Sequence, residues 1–333
     1  MKKIFTIILL SAIALTLSGC KPSTSEDDNV VYVTAYPMQY LVEQIAGDTV
    51  EVKRVPGSQV HSESIDWSGK EIIDMVKADL IFYIDAGFDS YIPDNNEDIF
   101  SDGDVELVNI SETVTYNLIC FTHTHNDDED EHTDSALLCD DNMLNPDPHF
   151  WLDPVRMLKA AELVRDKLIL SFPEFSVLYE NRFTVLGAAL EKLDEDFQAM
   201  ADDAIKPIIT TNMLFTYWHV RYEIEILSLS TNVHSNDTIP GDIIEFVNEA
   251  QYHFIHTILF EKNANSPAGE QVLEQLLLID PEAHSMELHG LGNITTEEFE
   301  QGSTYMSIMY ENLAVLIEAT NLYNLCTIVF ETY

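Results

Sequence analysis

The chain is poor in basic residues. It carries 16 Lys and Arg against 58 Asp and Glu among 333 residues, which gives a formal net charge of −42. A surface of that sign repels phosphate backbones and anionic headgroups, so the composition argues against nucleic acid and anionic membrane surfaces as partners. Such a surface attracts cations, although net charge alone does not define a site. Beyond the N-terminal apolar run, no segment of the sequence is apolar enough to cross a bilayer.

Signatures of hydrolytic enzymes are also missing. The sequence has no His-Glu-x-x-His run, no Ser nucleophile elbow and no obvious general base in its motif segments. A surface zinc hydrolase, with a carboxylate such as Glu63 activating a water, is therefore the less favoured alternative, and we expect no enzymatic activity.

Cysteine is scarce, with four residues in the whole chain. The first, Cys20, follows Lys2-Lys3, an apolar run and the triplet Leu17-Ser18-Gly19. The tetrad ending at Cys20 resembles a bacterial lipobox, which implies a lipoprotein signal peptide at 1–19, cleavage before Cys20 and a lipid on its sulfur. Residues 20–29 would form a polar tether, which places the protein on the extracytoplasmic face of the cell membrane.

Three cysteines remain, namely Cys120, Cys139 and Cys326. Cys120 and Cys139 bracket one polar loop, and a disulfide is permitted outside the membrane. The sequence leaves open whether they pair. If they do, Cys326 would be unpaired.

Short apolar runs alternate with helical patterns along the chain, which predicts an α/β fold with parallel sheets flanked by helices. We expect two α/β lobes, at 30–171 and 205–333, joined by one long helix at 172–204. An acidic, His-containing surface loop is expected at 121–145, a turn at His284 and one final helix from Thr296 to Ala319. A ligand would bind between the lobes, outside the C-terminal ends of the strands.

The segment Asp147-Pro148-His149-Phe150-Trp151-Leu152-Asp153-Pro154 is the most informative of the chain. Asp153 can cap the helix that follows, and Pro154 suits the first turn of that helix. The two Asp-Pro pairs restrict the backbone on either side of His149. A metal ligand benefits from such rigidity, because the ordering cost is not spent at binding.

Three other polar side chains are predicted near strand ends that face the same cleft: His61, Asn212 and His289. Three neutral imidazoles converging from different loops make a sound zinc set. The sequence therefore predicts a metal site at His61, His149 and His289. The remaining histidines outside the polar loop are interpreted as structural or incidental: His219, His234, His253, His256 and His284.

These motifs resemble those of one family, the metal-binding solute-binding lipoproteins of bacterial zinc and manganese ABC importers. The similarity covers nearly the whole mature chain, and 147–154 is its most specific part. Other segments that resemble those of the family are Pro56-Gly57 before His61, Lys70-Glu71-Ile72, Ala78-Asp79-Leu80, Phe215-Thr216-Tyr217 with Arg221-Tyr222, Phe260-Glu261, and Tyr305 to Met309 with Asn312-Leu313. The resemblance implies two Rossmann-like lobes joined by a rigid helix, with one metal ion buried between them, and an ABC permease in the membrane as the partner. We expect the protein to be a monomer.

The chain departs from that family at two ligand positions. Asn212 stands where zinc members carry His and manganese members often carry Glu, so it would be a weak oxygen ligand or leave its place to water. His289 stands where many members have Asp. An insertion after His61 makes Glu63 or Asp66 conceivable substitutes. More imidazole and less carboxylate favours Zn²⁺, with Mn²⁺ as the alternative.

The polar loop contains His123, His125 and His132 beside a run of acids from Asp127 to Glu131. It resembles the His-rich loops of zinc members, which implies a role in recruiting metal. The alternative is an ordinary solvated loop.

The leading hypothesis is a protein that captures zinc and delivers it to a permease. A metal-binding-deficient adhesion or interaction protein of the same fold is the other alternative, suggested by the missing third His.

Overall fold

The computed structural model describes residues 29–59, 64–101, 103–120, 144–230 and 242–320. Within those ranges, none of the helices is both long enough and apolar enough to cross a membrane.

The first lobe contains a parallel four-stranded sheet in the order β2-β1-β3-β4. Apolar side chains pair across the sheet, as where Val31 of β1 lies opposite Val52 of β2 and Leu80 of β3. The helix α2 begins with a capping box, in which Ser68 and Glu71 each bind the other's backbone N–H. The elements of this lobe are β1 (Val30–Val33), α1 (Tyr36–Ala46), β2 (Glu51–Arg54), α2 (Gly69–Val76), β3 (Leu80–Tyr83) and β4 (Glu106–Asn109).

Two short strands, β5 (Leu118–Cys120) and β6 (Leu144–Pro146), form an antiparallel pair directly before the 147–154 segment. The loop expected at 121–145 is therefore too long at its C-terminal end, because Leu144 and Asn145 pair with Cys120 and Ile119. Neither strand was predicted, since three residues are too few to show an alternating pattern.

Two long helices follow, α3 (Pro154–Ser171) and α4 (Ser176–Asp203). The side chain of Asp153 caps α3 by accepting from the backbone N–H groups of Val155, at 2.9 Å, and Arg156, at 3.2 Å. The 28 residues of α4 extend over about 42 Å at ~1.5 Å per residue. Along that length α4 packs against α1 and α3, and against the final helix of the second lobe.

The second lobe repeats the parallel arrangement in the order β10-β9-β7-β8. The elements are β7 (Ile208–Thr210), α5 (Thr216–Tyr222), β8 (Ile226–Ser228), α6 (Asp242–Tyr252), β9 (Thr257–Glu261), α7 (Pro267–Leu277), β10 (His284–Leu288), α8 (Thr296–Glu300) and α9 (Tyr305–Thr320). Together the two sheets confirm the predicted α/β class with parallel sheets flanked by helices.

Two expectations for this lobe are wrong. His284 begins the edge strand β10 and does not lie in a turn. Three of the five residues of His284–Leu288 are polar, and the first two of these are adjacent, so the sequence shows no clear strand pattern. The final helix is two helices, because the chain turns at Gly302, whose φ of 83° suits glycine.

One continuous hydrophobic core joins the lobes. It includes side chains from both sheets and from α1, α3, α4 and α9, and the indole of Trp151 lies fully buried within it. Each lobe also has a smaller core on the other face of its sheet. The lobes are therefore packed against each other along the segment that carries His149.

Candidate metal centre

His149 follows β6 and sits at the start of a short 3₁₀ turn, Phe150–Leu152. Its Nδ1 lies 2.7 Å from Oδ1 of Asp147, and the same carboxylate oxygen accepts from the His149 backbone N–H at 3.0 Å. Asp147 has no solvent exposure, and His149 has 8 %. A carboxylate bound to Nδ1 selects the tautomer whose lone pair is on Nε2, and this is the arrangement that orients imidazole ligands in metal sites.

Side chains of the second lobe hold the 147–152 segment in place. The Tyr217 hydroxyl donates to the Asp147 carbonyl at 2.6 Å, and the Thr216 hydroxyl donates to Oδ2 of Asp147. Trp218 Nε1 donates to the Leu152 carbonyl at 2.9 Å. Asp147 therefore connects the His149 ring to the start of α5, so that the position of the imidazole depends on both lobes.

Aromatic contacts on the other side of this segment also cross between the lobes. Trp151 Nε1 donates to the Gly290 carbonyl at 2.8 Å, and the Tyr305 hydroxyl donates to the Trp151 carbonyl at 2.6 Å. The rings of Trp151 and His149 meet edge to face, with centroids 5.2 Å apart. Since Gly290 directly follows His289, these contacts fix the His149 segment beside the loop that carries the fourth predicted position.

Asn212 and Glu261 meet at the carboxyl ends of two neighbouring central strands, β7 and β9. The Asn212 side-chain amide donates to Oε2 of Glu261, while its oxygen accepts from the Leu214 backbone N–H at 3.3 Å. The orientation of the amide is thereby set, because a flipped side chain would bring its oxygen against a carboxylate. In this geometry the Asn212 oxygen serves a backbone turn, which does not favour the weak-ligand role that the sequence suggested.

Glu261 lies within electrostatic range of His149. Burial raises the pKa of the Glu261 carboxyl, while His149 and the hydrogen bond from Asn212 oppose that rise. Its Oε1 lies beside Gly290, where a Cβ would come within 3.0 Å of this oxygen. The structure therefore brings His149, Asn212 and Glu261 together between the lobes.

His289 directly follows β10 and is nearly buried, with 6 % exposure. Its backbone is fixed by Asn312, which accepts from the His289 N–H at 2.8 Å and donates to its carbonyl at 2.9 Å. The ring Nδ1 accepts from the Leu291 N–H at 2.9 Å, so a neutral ring carries its proton on Nε2. Nε2 lies 3.4 Å from Oε1 of Glu298, which also pairs with Lys262 at 2.8 Å.

The buried position of His289 favours its neutral form. Burial lowers the pKa of the His289 imidazole, and Lys262 adds to that effect while Glu298 opposes it. Burial by itself would raise the pKa of Glu298, but the contacts with Lys262 and Thr295 outweigh it and lower the pKa to about 2. A ligand role for His289 requires its ring to leave the Leu291 N–H, and the assignment stays a prediction.

Several predicted positions lie outside the described residues: His61, Glu63, His123, His125, His132, His234, Cys20, Cys139 and Cys326. The segment before His61 is described, and it approaches the second lobe at Asn293. The Asn293 amide donates to the Gln59 carbonyl at 2.9 Å, and Arg54 donates to the Asn293 side-chain oxygen at 3.2 Å. Among the described residues, no group of three His, Cys, Asp or Glu side chains is spaced to hold a metal ion.

The other candidate residues have local surroundings of their own. Asp66, considered as a substitute ligand, is exposed. Four histidines interpreted as structural contact nearby groups: His219 with the Ile224 carbonyl, His253 with Glu249, His256 with Asp280, and His284 with Thr257 and the Glu282 carbonyl.

Glu261 was not predicted as a member of the site; the Phe260-Glu261 pair contributed only to the family resemblance. A signal was available, since Glu261 ends a buried parallel strand, and polar residues at such ends lie where α/β proteins bind ligands.

The family model for the zinc-uptake complex component A, a periplasmic protein also called ZnuA, matches residues 31–319. The chain belongs to this family. Among curated relatives, the zinc-binding lipoprotein AdcA of Streptococcus pneumoniae is 25 % identical over 334 residues, covering 96 % of this chain and 62 % of AdcA. The high-affinity zinc uptake system protein ZnuA of Bacillus subtilis is 24 % identical, covering 95 % of this chain and 97 % of that relative. The chain thus spans about three-fifths of the length of AdcA and nearly all of the Bacillus protein.

Solved structures show the same two-lobe fold. The metal-dependent lipoprotein YcdH of Bacillus subtilis aligns with a TM-score of 0.68 at 23 % identity, covering 88 % of this chain and 99 % of YcdH. The Zn(II)-bound ZnuA-like domain of Streptococcus pneumoniae AdcA aligns with a TM-score of 0.66 at 22 % identity, with the same coverage. The laminin-binding protein Lmb of Streptococcus agalactiae aligns at 0.69 and 18 % identity, covering 89 % of this chain and all of Lmb.

Proposed function

We propose that this protein is an extracytoplasmic solute-binding protein that captures a divalent transition metal between its lobes and delivers it to an ABC permease. The observation that carries the proposal is the buried Asp147–His149 pair at the lobe interface. An imidazole held by a buried carboxylate, within electrostatic range of a second carboxylate, that of Glu261, is arranged to bind a cation.

Zinc is the cargo that we propose, and manganese is the alternative. The proposed imidazole donors, His61, His149 and His289, suit zinc better than manganese, which prefers oxygen ligands. The curated relatives AdcA and ZnuA are named for zinc, which supports the same choice. The protein binds and releases its cargo, and no catalytic step is part of the proposal.

The location follows from the sequence at the N-terminus. A lipid on Cys20 would hold the protein at the outer side of the membrane as a monomer beside its permease. AdcA of Streptococcus pneumoniae is named a lipoprotein, which supports this location. In this arrangement His123, His125 and His132 would gather metal more weakly than the buried site, because ordering a loop costs entropy.

The test is a competition titration of the purified mature protein with zinc and a chromophoric chelator. We expect one tight zinc per chain in the wild type, loss of tight binding in His149→Ala, and unchanged binding in His219→Ala. His219 is the matched control, since it is also a partly buried imidazole in the region of α5 but contacts a backbone carbonyl away from the cleft. Tight binding that survives His149→Ala would refute the proposed site.

A second candidate is an interaction protein of the same fold without metal transport. Two observations favour it: the Asn212 oxygen caps a turn, and His289 is bound by Leu291 N–H and lies beside Glu298. One structural neighbour is described as a laminin-binding adhesin with metal-transporting activity. A wild-type protein that binds no zinc in the same titration would select this candidate.

A further inference from the structure

We propose that Glu261 is a direct ligand of the metal cargo and fills the coordination place that Asn212 leaves empty. The inference rests on the proposed function, since it names a ligand of that same cleft. It concerns a residue outside the predicted set of His61, His149, His289 and Asn212.

The first argument is the orientation of Asn212. Its two polar atoms both have partners within the protein: the amide nitrogen donates to Glu261, and the oxygen accepts from the Leu214 N–H. A metal ion needs the lone pairs of an oxygen, and those of Asn212 face a backbone donor. Asn212 is therefore a positioning residue that holds the Glu261 carboxylate by one oxygen.

The second argument is the other oxygen of Glu261. Oε2 is held by Asn212, whereas Oε1 lies beside Gly290, at 3.0 Å from the position that a Cβ would occupy there. Because glycine has no side chain, Oε1 and the Leu214 side chain can both approach the Gly290 backbone, at the point where Trp151 joins the lobes. The Glu261 backbone N–H donates to the Thr211 hydroxyl at 3.3 Å, which fixes the strand end that carries the side chain.

The third argument is charge. A buried carboxylate without a cation is costly, and its described neighbours supply one amide and the nearby imidazole of His149. No Lys or Arg of the described chain forms an ion pair with Glu261. A divalent cation between Glu261 and His149 would supply the missing positive charge. Carboxylate oxygen with imidazole nitrogen is a common zinc set, with Zn–O at about 2.0–2.2 Å and Zn–N at about 2.0–2.1 Å.

The arrangement of His289 agrees with this assignment. With Nδ1 on the Leu291 N–H and Nε2 toward Glu298, the His289 ring must turn before it can offer a lone pair to the cleft. Glu261 needs no rearrangement of that kind.

The test compares zinc affinity in the mature wild-type protein, Glu261→Gln and the matched control Glu287→Gln. In Glu261→Gln the Asn212 amide retains the glutamine oxygen, so the NH₂ end, which has no lone pair for a metal, takes the place of Oε1. We expect Glu261→Gln to lose more than about 100-fold in affinity, beyond the range of changes to residues that only orient a ligand. Glu287 lies on the adjacent strand and is exposed, so Glu287→Gln removes the same charge and should leave the affinity unchanged.

A second variant guards against a general loss of folding. Asn212→Ala removes the positioning contact but no ligand, and we expect a loss of about 10- to 100-fold, smaller than that of Glu261→Gln. Wild type that binds zinc while Glu261→Gln stays within about 100-fold of it would overturn this inference and leave the proposed function intact. A larger loss in Asn212→Ala than in Glu261→Gln would do the same. Absence of zinc binding in the wild type would instead refute the proposed function.

Discussion

Replacing Asp147 by Asn removes the charge that holds the His149 ring while keeping the shape of the side chain. The asparagine oxygen can still accept from the His149 backbone N–H, now 3.0 Å from the carboxylate, and from ring Nδ1, now at 2.7 Å. The new NH₂ group would meet the Thr216 hydroxyl, which can turn from donor to acceptor. We therefore expect Asp147→Asn to fold and to keep the imidazole near its place.

We expect Asp147→Asn to lower the affinity for zinc. A neutral amide holds Nδ1–H less strongly than a carboxylate and makes the imidazole a poorer donor, which typically costs about 10- to 100-fold in affinity. That range corresponds to about 1.4–2.8 kcal/mol, since about 1.4 kcal/mol is tenfold. The assay is a chelator competition titration of the wild type and Asp147→Asn, with Asp166→Asn as control. Asp166 is exposed on α3 and pairs there with the neighbouring Arg165.

The outcome discriminates between two roles of Asp147. If its carboxylate only shapes the turn, Asp147→Asn binds zinc as the wild type does, and the reasoning about His149 is refuted. If it orients a ligand, the affinity falls within the stated range while the metal-free melting temperature changes little. Asp166→Asn should match the wild type in both measurements.

Three further outcomes are expected. Cys20→Ala should move the protein from the membrane fraction to the soluble fraction, and a variant that stays fully membrane-bound would show that the lipobox interpretation is wrong. Zinc at a thousandfold excess over its Kd should stabilise the folded protein by about 4 kcal/mol in thermal unfolding. This stabilisation should fade as the pH falls through about 6.5, because unperturbed imidazoles become protonated there and no longer bind metal. A melting temperature that does not respond to zinc at neutral pH would contradict this prediction. Glu298→Gln should destabilise the metal-free protein at neutral pH but not near pH 2. The pKa of the Glu298 carboxyl is lowered to about 2 in the folded protein, so the charged carboxylate stabilises the fold at any pH above the pKa of the unfolded chain, and this stabilisation is lost as the pH falls through about 2. An equal loss of stability at both pH values would show that the ion pair with Lys262 is not the cause.

The sequence predicted the fold class because its periodic apolar runs are strong signals. Strands such as Leu80–Tyr83 and Thr257–Glu261 are buried parallel strands, and their apolar residues are contiguous. The edge strand His284–Leu288 lacked that signal, because only part of it is buried. The boundaries proposed for the two lobes and the linking helix remain predictions.

For the site, the sequence predicted contacts between residues close together in the chain but not contacts between distant ones. The Asp147–His149 pair lies within three residues, so the motif itself indicated a held imidazole. The Asn212–Glu261 contact joins residues 49 positions apart, and only the adjacency of β7 and β9 brings them together. Likewise, the Leu291 N–H that engages the His289 ring depends on the backbone of a loop, which no residue type in the sequence specifies.

The account depends most directly on where the metal sits. Crystals of the zinc-loaded mature protein, measured at the zinc absorption edge, would locate it by anomalous scattering. We predict one strong peak between the lobes, at about 2.0–2.1 Å from Nε2 of His149. A zinc-loaded protein with no peak beside His149, and zinc only elsewhere on the chain, would contradict the central claim.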